Sequence, residues 1–168
     1  MKGTLKLEDG RELTVEINEN TLKSIEKPKK TGYERVKKYS TYYSIDYDGQ
    51  AVSDTESAKY DDDVSYDIAN YYSDEIVAKN NARADALMRK LRRFTVEHRK
   101  EKLDWKNYRQ PKWYIEYLWD SHEISATYYS VIQDFGQIYF DTKETAQKAI
   151  EEFKDELIWY FTEYKDSL

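Results

Sequence analysis

Polar and apolar positions alternate on both sides of Asp9-Gly10, through Thr4-Leu5-Lys6-Leu7 and Leu13-Thr14-Val15-Glu16-Ile17. That pattern predicts a β-hairpin closed by a tight primed turn, because Asp-Gly tolerates the positive φ such turns require. Residues 20–26 are expected to form one or two helical turns. Lys27-Pro28-Lys29-Lys30-Thr31-Gly32 then reads as a linker. Beyond it, Tyr42-Tyr43-Ser44-Ile45-Asp46-Tyr47 reads as a strand, Asp48-Gly49 as a turn and Gln50-Ala51-Val52-Ser53 as the returning strand. Residues 54–69 are polar and acidic and are expected to be a long loop or a frayed edge. Ser73-Asp74-Glu75 supplies a cap and first-turn acids for a helix running to about residue 100. Its core stripe is expected at Ile76, Asn80, Ala84, Leu87, Leu91 and Phe94.

The second half follows the same plan. Lys112-Trp113-Tyr114-Ile115-Glu116-Tyr117 is a strand, residues 122–132 a second, and Gln137-Ile138-Tyr139-Phe140 a third. Asp141 is expected to cap the last helix, with Glu144 completing a capping box. Its stripe is Ala146, Ala149/Ile150, Phe153, Leu157, Tyr160/Phe161 and Tyr164. Tyr43-Ser44-Ile45-Asp46-Tyr47 aligns with Trp113-Tyr114-Ile115-Glu116-Tyr117, and Tyr71-Tyr72-Ser73-Asp74-Glu75 with Tyr139-Phe140-Asp141-Thr142-Lys143. The expected fold is α+β: an N-terminal hairpin and linker (1–32), then two repeated antiparallel strand–strand–helix units (33–105 and 106–168), read as an ancient duplication. The plainer reading is that strand–cap–helix junctions look alike.

Composition narrows the chemistry. Only 39% of the 168 residues are hydrophobic, but 17 Tyr, 5 Phe and 4 Trp make that inventory bulky enough for a core. The absence of cysteine removes disulfides, thiolate metal sites and thiol nucleophiles. With no apolar run of membrane length and no signal-peptide stretch at Met1–Leu5, the expected location is the cytoplasm, off the membrane. No catalytic residue is assigned. His98 and His122 have no ligand spacing, and Asp120-Ser121-His122 are sequence neighbours, which cannot supply the geometry of a triad. Asp61-Asp62-Asp63 lacks the alternation and glycine of a calcium loop. Neither a metal nor a cofactor is expected.

Charge is more informative, because the net −6 hides alternating blocks: +3 over residues 1–40, −9 over 41–75, +8 over 76–112 and −8 over 113–168. Such blocks govern partner choice and long-range fields. Three recognition surfaces follow. The first is acidic: Asp54, Glu56, Asp61, Asp62, Asp63 and Asp67 with Tyr60 and Tyr66, flanked by Asp46, Tyr47 and Asp48. Carboxylates among tyrosines can imitate a phosphate backbone; the alternative is a solvated acidic loop. The second is a basic helix face, Arg89, Arg93 and Lys100 with Arg92 and Arg99 beside them. It suits nucleic acid, or pairing with acidic blocks of this chain or of a homodimer. The third is Trp159, either an exposed interface anchor among Lys148, Glu152, Asp155 and Glu163, or a residue covered by the N-terminal hairpin.

Lys29-Lys30-Thr31-Gly32-Tyr33-Glu34-Arg35-Val36, the strand and turn from Tyr43 to Gly49, Asn70-Tyr71-Tyr72-Ser73, and Gly136-Gln137-Ile138-Tyr139-Phe140 leading to Ala146 and Ala149-Ile150 carry a resemblance. Together they resemble small proteins of phages and mobile elements of gut Firmicutes, a group that includes inhibitors of type II-A CRISPR effectors. The resemblance implies an anti-CRISPR protein in the cytoplasm of a bacterial host that binds a Cas9-type nuclease, and it brings no site pattern of its own; the acidic, tyrosine-studded surface would then act as a DNA mimic without turnover. The alternatives are an accessory protein with weak DNA binding through the basic helix, or a structural or regulatory phage protein that dimerises.

Overall fold

The computed structural model describes residues 2–16 and 30–164, and its α+β architecture rests on three separate two-stranded antiparallel sheets and the helices beside them. Strands β1 (Lys2–Lys6) and β2 (Glu12–Glu16) form the N-terminal hairpin, and β3 (Thr41–Ile45) and β4 (Ala51–Thr55) the second. The first closes differently from the tight primed turn expected, and the second, with its expected turn at Asp48-Gly49, closes in the same way as the first. Leu7 N donates to Arg11 O and Gly10 N to Leu7 O; Asp46 N donates to Gln50 O and Gly49 N to Asp46 O. Three residues therefore lie inside each loop, with only Gly10 and Gly49 at positive φ. That is the longer hairpin connection ending in a left-handed residue. The helical turns expected over 20–26, Ile17 and the first part of the linker lie outside the described residues.

Between β4 and the long helix, the segment expected to be loop contains helix α1 (Tyr60–Asp67). Its signal is a reach-back by Asp62, whose carboxylate accepts from Lys59 N (3.0 Å), Ser57 N (2.9 Å) and Ser57 Oγ (2.8 Å). This satisfies N–H groups that the first turn would otherwise leave orphaned. Helix α2 (Glu75–His98) starts where expected, with Asp74 accepting from Ile76 N and Val77 N. Its buried side is not one stripe. Ala84, Leu87, Leu91 and Phe94 are buried, as the periodicity predicts, but so are Ala78 and Ala82, while Ile76 is 69% exposed. At about 100° per residue Ala78 lies half a turn away from Leu87. The helix packs both on β3 and β4 and on the second half of the chain, whose core takes in Leu87, Leu91 and Phe94. Ala82 and Ala86 lie beside Gly49, Gln50 and Ala51 of the hairpin, where small side chains permit its close approach.

Strands β5 (Lys112–Leu118) and β6 (Glu123–Tyr129) pair over their full length. The third strand expected over 137–140 reduces to a single bridge, Trp113 to Phe140, matched in the first half by a bridge from Tyr43 to Tyr72. These are positions that the sequence alignment of the two halves equates. Helices α3 (Lys143–Glu152) and α4 (Lys154–Trp159) follow, separated at Phe153 and continued by a π-helical turn (Tyr160–Tyr164). The cap of α3 is Thr142, which accepts from Thr145 N, not Asp141 with a Glu144 box. Asp141 instead turns its carboxylate to Lys100 N (2.6 Å) and Glu101 N (3.0 Å), fixing the exit of α2. The principal core joins Leu87, Leu91 and Phe94 to Ile115, Phe140, Ala146, Ala149, Ile150 and Leu157. Among the described residues no helix is long and apolar enough to cross a membrane.

Candidate partner-binding surface

The acidic stretch divides into a buried set and an exposed one. Glu56 and Asp62 are 2% and 4% exposed and serve the scaffold, so neither belongs to a contact surface as expected. Burying a carboxylate is tolerable only when donors surround it. Tyr42 and Tyr71 stack at 4.1 Å, and each points its hydroxyl at one of the two acids: Tyr42 Oη donates to Asp62 Oδ1 (3.1 Å) and Tyr71 Oη to Glu56 Oε2 (2.9 Å). Arg35, which the sequence reading passed over, donates to both Glu56 oxygens at 2.9 and 3.2 Å and approaches Asp63 at 2.6 Å. Its guanidinium also lies 5.6 Å from the Tyr66 ring centre. Asp63 and Tyr66 are thus partly engaged within the chain. Asn70 completes the frame by exchanging two 2.8 Å hydrogen bonds with the backbone of Ile45.

These partners set the protonation chemistry. The Arg35 guanidinium holds the Glu56 carboxyl below its usual range. The Lys59 and Ser57 N–H groups do the same, more strongly, for Asp62. Burial pushes the Tyr42 and Tyr71 hydroxyls up to about 12. At neutral pH the cluster therefore holds ionised acids and neutral phenols, the arrangement its hydrogen bonds require.

What remains outward is a discontinuous acidic and aromatic face. Asp54 sits on β4 opposite Tyr42, and Asp61, Asp67 and Tyr60 are exposed on α1. At the β3–β4 tip, Tyr47 is fully exposed between Asp46 and Asp48. Side chains bridge the tip: Asp46 Oδ1 accepts from Asp48 N (3.1 Å) and Gln50 N (3.3 Å), and Asp48 Oδ1 also accepts from Gln50 N (3.1 Å). The Asp48 carboxyl beside it lowers the pKa of Asp46, while Asp46 raises that of Asp48. Tyr39, at positive φ, adds a further exposed ring that periodicity did not flag.

The other expected surfaces fare differently. Arg89, Arg92, Arg93, Arg99 and Lys100 are all exposed. Trp159 is not an exposed anchor: it is 6% exposed, with the Arg83 guanidinium 3.9 Å over its ring and Arg83 paired to Glu156 at 2.8 Å. A π-turn and a cation from α2, neither legible in the periodicity, cover it. His98 stacks on Phe94 and sets Nδ1 3.0 Å from Phe94 O, so it closes a helix end. His122 Nδ1 lies 3.4 Å from the Tyr117 hydroxyl, in a turn. A cleft of about 220 Å³ between α2, β5 and the C-terminal helices is lined by Met88, Leu91, Ile115, Phe140, Leu157 and Phe161 among others, and among the described residues no carboxylate, histidine or lysine lines it. Among the described residues, no group of three His, Asp or Glu is placed to hold a metal ion. No family model, curated protein or solved structure matches the chain.

Proposed function

We propose that the chain is a binding protein without turnover, which presents the face formed by the β3–β4 tip, β4 and α1 to a strongly basic protein surface. The observation that carries the reading is Tyr47, wholly in solvent on a hydrogen-bonded tip between two carboxylates. A ring held in water gains nothing for the fold, yet tyrosine brings a large contact area at low ordering cost. Tyr60, beside Asp61, repeats the motif on α1. The partner class this chemistry fits is a protein that holds nucleic acid in a positive channel. Taken with the resemblance above, that partner is a Cas9-type nuclease, which keeps its duplexes in such a channel. Occupying it with aspartates and tyrosines excludes DNA stoichiometrically.

The test is association kinetics with a guide-loaded Cas9-type nuclease. Replacing Asp54, Asp61 and Asp67 together with Asn should slow association and flatten its salt dependence, since rim charges steer encounter. Tyr47→Ala should act on dissociation, by about 2 kcal/mol or roughly thirtyfold if the ring is an anchor. Unchanged kinetics in both variants would remove this face from the interaction.

A further inference from the structure

The cations of the late turns of α2 and of the segment after it are a second candidate surface. Between residues 89 and 109 there are nine Lys and Arg against three Asp and Glu. Arg92, Arg93, Arg99, Lys100, Lys102 and Lys106 are all exposed. Among the described residues only Arg93 of these six meets a carboxylate, Glu97, at a long 3.9 Å. Elsewhere the chain does pair its cations: Arg35, Lys79 and Arg83 each meet an acid within 2.9 Å. A cation or two would suffice to complement the C-terminal end of the helix dipole; this row is far longer.

The segment carrying half of this charge has a fixed path. Asp141, a residue from the other end of the core, holds Lys100 N and Glu101 N. The Gln110 amide bonds Asp104 N (2.7 Å) and Lys102 O (3.1 Å), and Lys112 Nζ, wholly buried, bonds Asn107 O (2.7 Å). Little ordering is left to be done on binding. Tyr108 stands 65% exposed in this segment, with the Arg109 guanidinium 5.9 Å from its ring centre. A basic track with an open aromatic face is the combination that binds single strands, whose unpaired bases can stack. A duplex offers no free base to the ring. Arg89 is left out of the track, because the turn at Gly49 lies against it: a Cβ at Gly49 would sit 3.1 Å from the Arg89 guanidinium.

We infer that the late turns of α2 and the segment 99–109 form a binding site for single-stranded nucleic acid, with Arg92, Arg93, Lys100 and Lys102 on the phosphates and Tyr108 stacked on a base.

The test is fluorescence anisotropy of the full chain with labelled dT20, rU20 and a 20-base-pair duplex, from 50 to 300 mM salt, alongside inorganic polyphosphate as a competitor. The single strands should bind more tightly than the duplex, with log K falling against log salt at a slope of about −3 for four phosphate contacts. R92Q/R93Q/K102Q should bring that slope toward −1. Tyr108→Ala should weaken single-strand binding roughly tenfold and leave the slope unchanged, a split that polyphosphate, having no base, should not show. No binding at 50 mM salt would overturn the inference. So would equal binding of duplex and single strand that is indifferent to Tyr108→Ala, or a dimer that R92Q/R93Q/K102Q abolishes, which would give this face to a second copy.

Discussion

The two-faced burial of α2 can be tested by a pair of substitutions for which the helical stripe and the structure predict opposite results. On the stripe, Ile76 is core and Ala78 is surface; in the structure Ile76 is 69% exposed and Ala78 is 0% exposed. Truncating a core isoleucine to alanine costs about 2–5 kcal/mol, from lost transfer energy and the cavity left behind. Truncating an exposed one changes stability by about 0.5 kcal/mol or less, and alanine is the better helix former. Ile76→Ala should therefore be neutral. Ala78→Leu forces three extra carbons between packed elements and should cost about 1–3 kcal/mol. In a chain of this size that lowers the midpoint by several degrees, at roughly 2–4 °C per kcal/mol. Urea and thermal unfolding followed by circular dichroism would report both. An Ile76→Ala loss of 2 kcal/mol or more, with Ala78→Leu neutral, would refute the change of face.

Gly32→Ala should destabilise the first half of the chain by more than an ordinary surface change: its φ is +87°, and a Cβ there would meet Val77 Cγ2 at 2.6 Å, which thermal melts would show. The Glu56–Asp62 cluster should make the fold acid-sensitive. Both carboxyls have lowered folded pKa values, so their contribution is complete above about pH 4 to 5 and is lost as pH falls below that range; an acid limb in stability that Glu56→Gln leaves untouched would contradict this. The same cluster predicts an alkaline limb, because Tyr42 and Tyr71 are raised to about 12: their contribution is whole below about pH 10 and drains above it, which stability measured from pH 9 to 12 should show. Arg83→Ala should uncover Trp159, shifting fluorescence to the red and costing about 1 kcal/mol, and unchanged emission would show that the cation does not cover the ring.

The strands of the hairpins and the start of α2 were legible because they are local: Asp-Gly between alternating residues, and Asp74 before a periodic run, specify structure within a few positions. The helix α1 was missed because its N-terminal signal lies in Asp62, one of three adjacent acids that look alike until one of them turns back to Lys59 and Ser57. The same residue shows why the site was only half legible. A run of acids gives charge but not depth, and the two acids that face inward are selected by partners far along the chain, Tyr42 for Asp62, and Arg35 and Tyr71 for Glu56. The stripe on α2 was half right for a related reason: periodicity finds one buried face, and this helix buries opposite faces at its two ends. Trp159 lies after the break at Phe153, where extrapolating 100° per residue no longer tracks the side chain.

The central claim, that the acidic and aromatic face occupies a nucleic-acid channel, is tested most directly by order of addition. A guide-loaded Cas9-type nuclease is mixed with this protein before or after its target DNA, and bound protein is measured by surface capture. The account predicts one-to-one binding when the protein is added first, strong loss of binding when target DNA is already seated, and weakening of the first by Tyr47→Ala. Equal binding in both orders, or no binding to the nuclease in either, would contradict it.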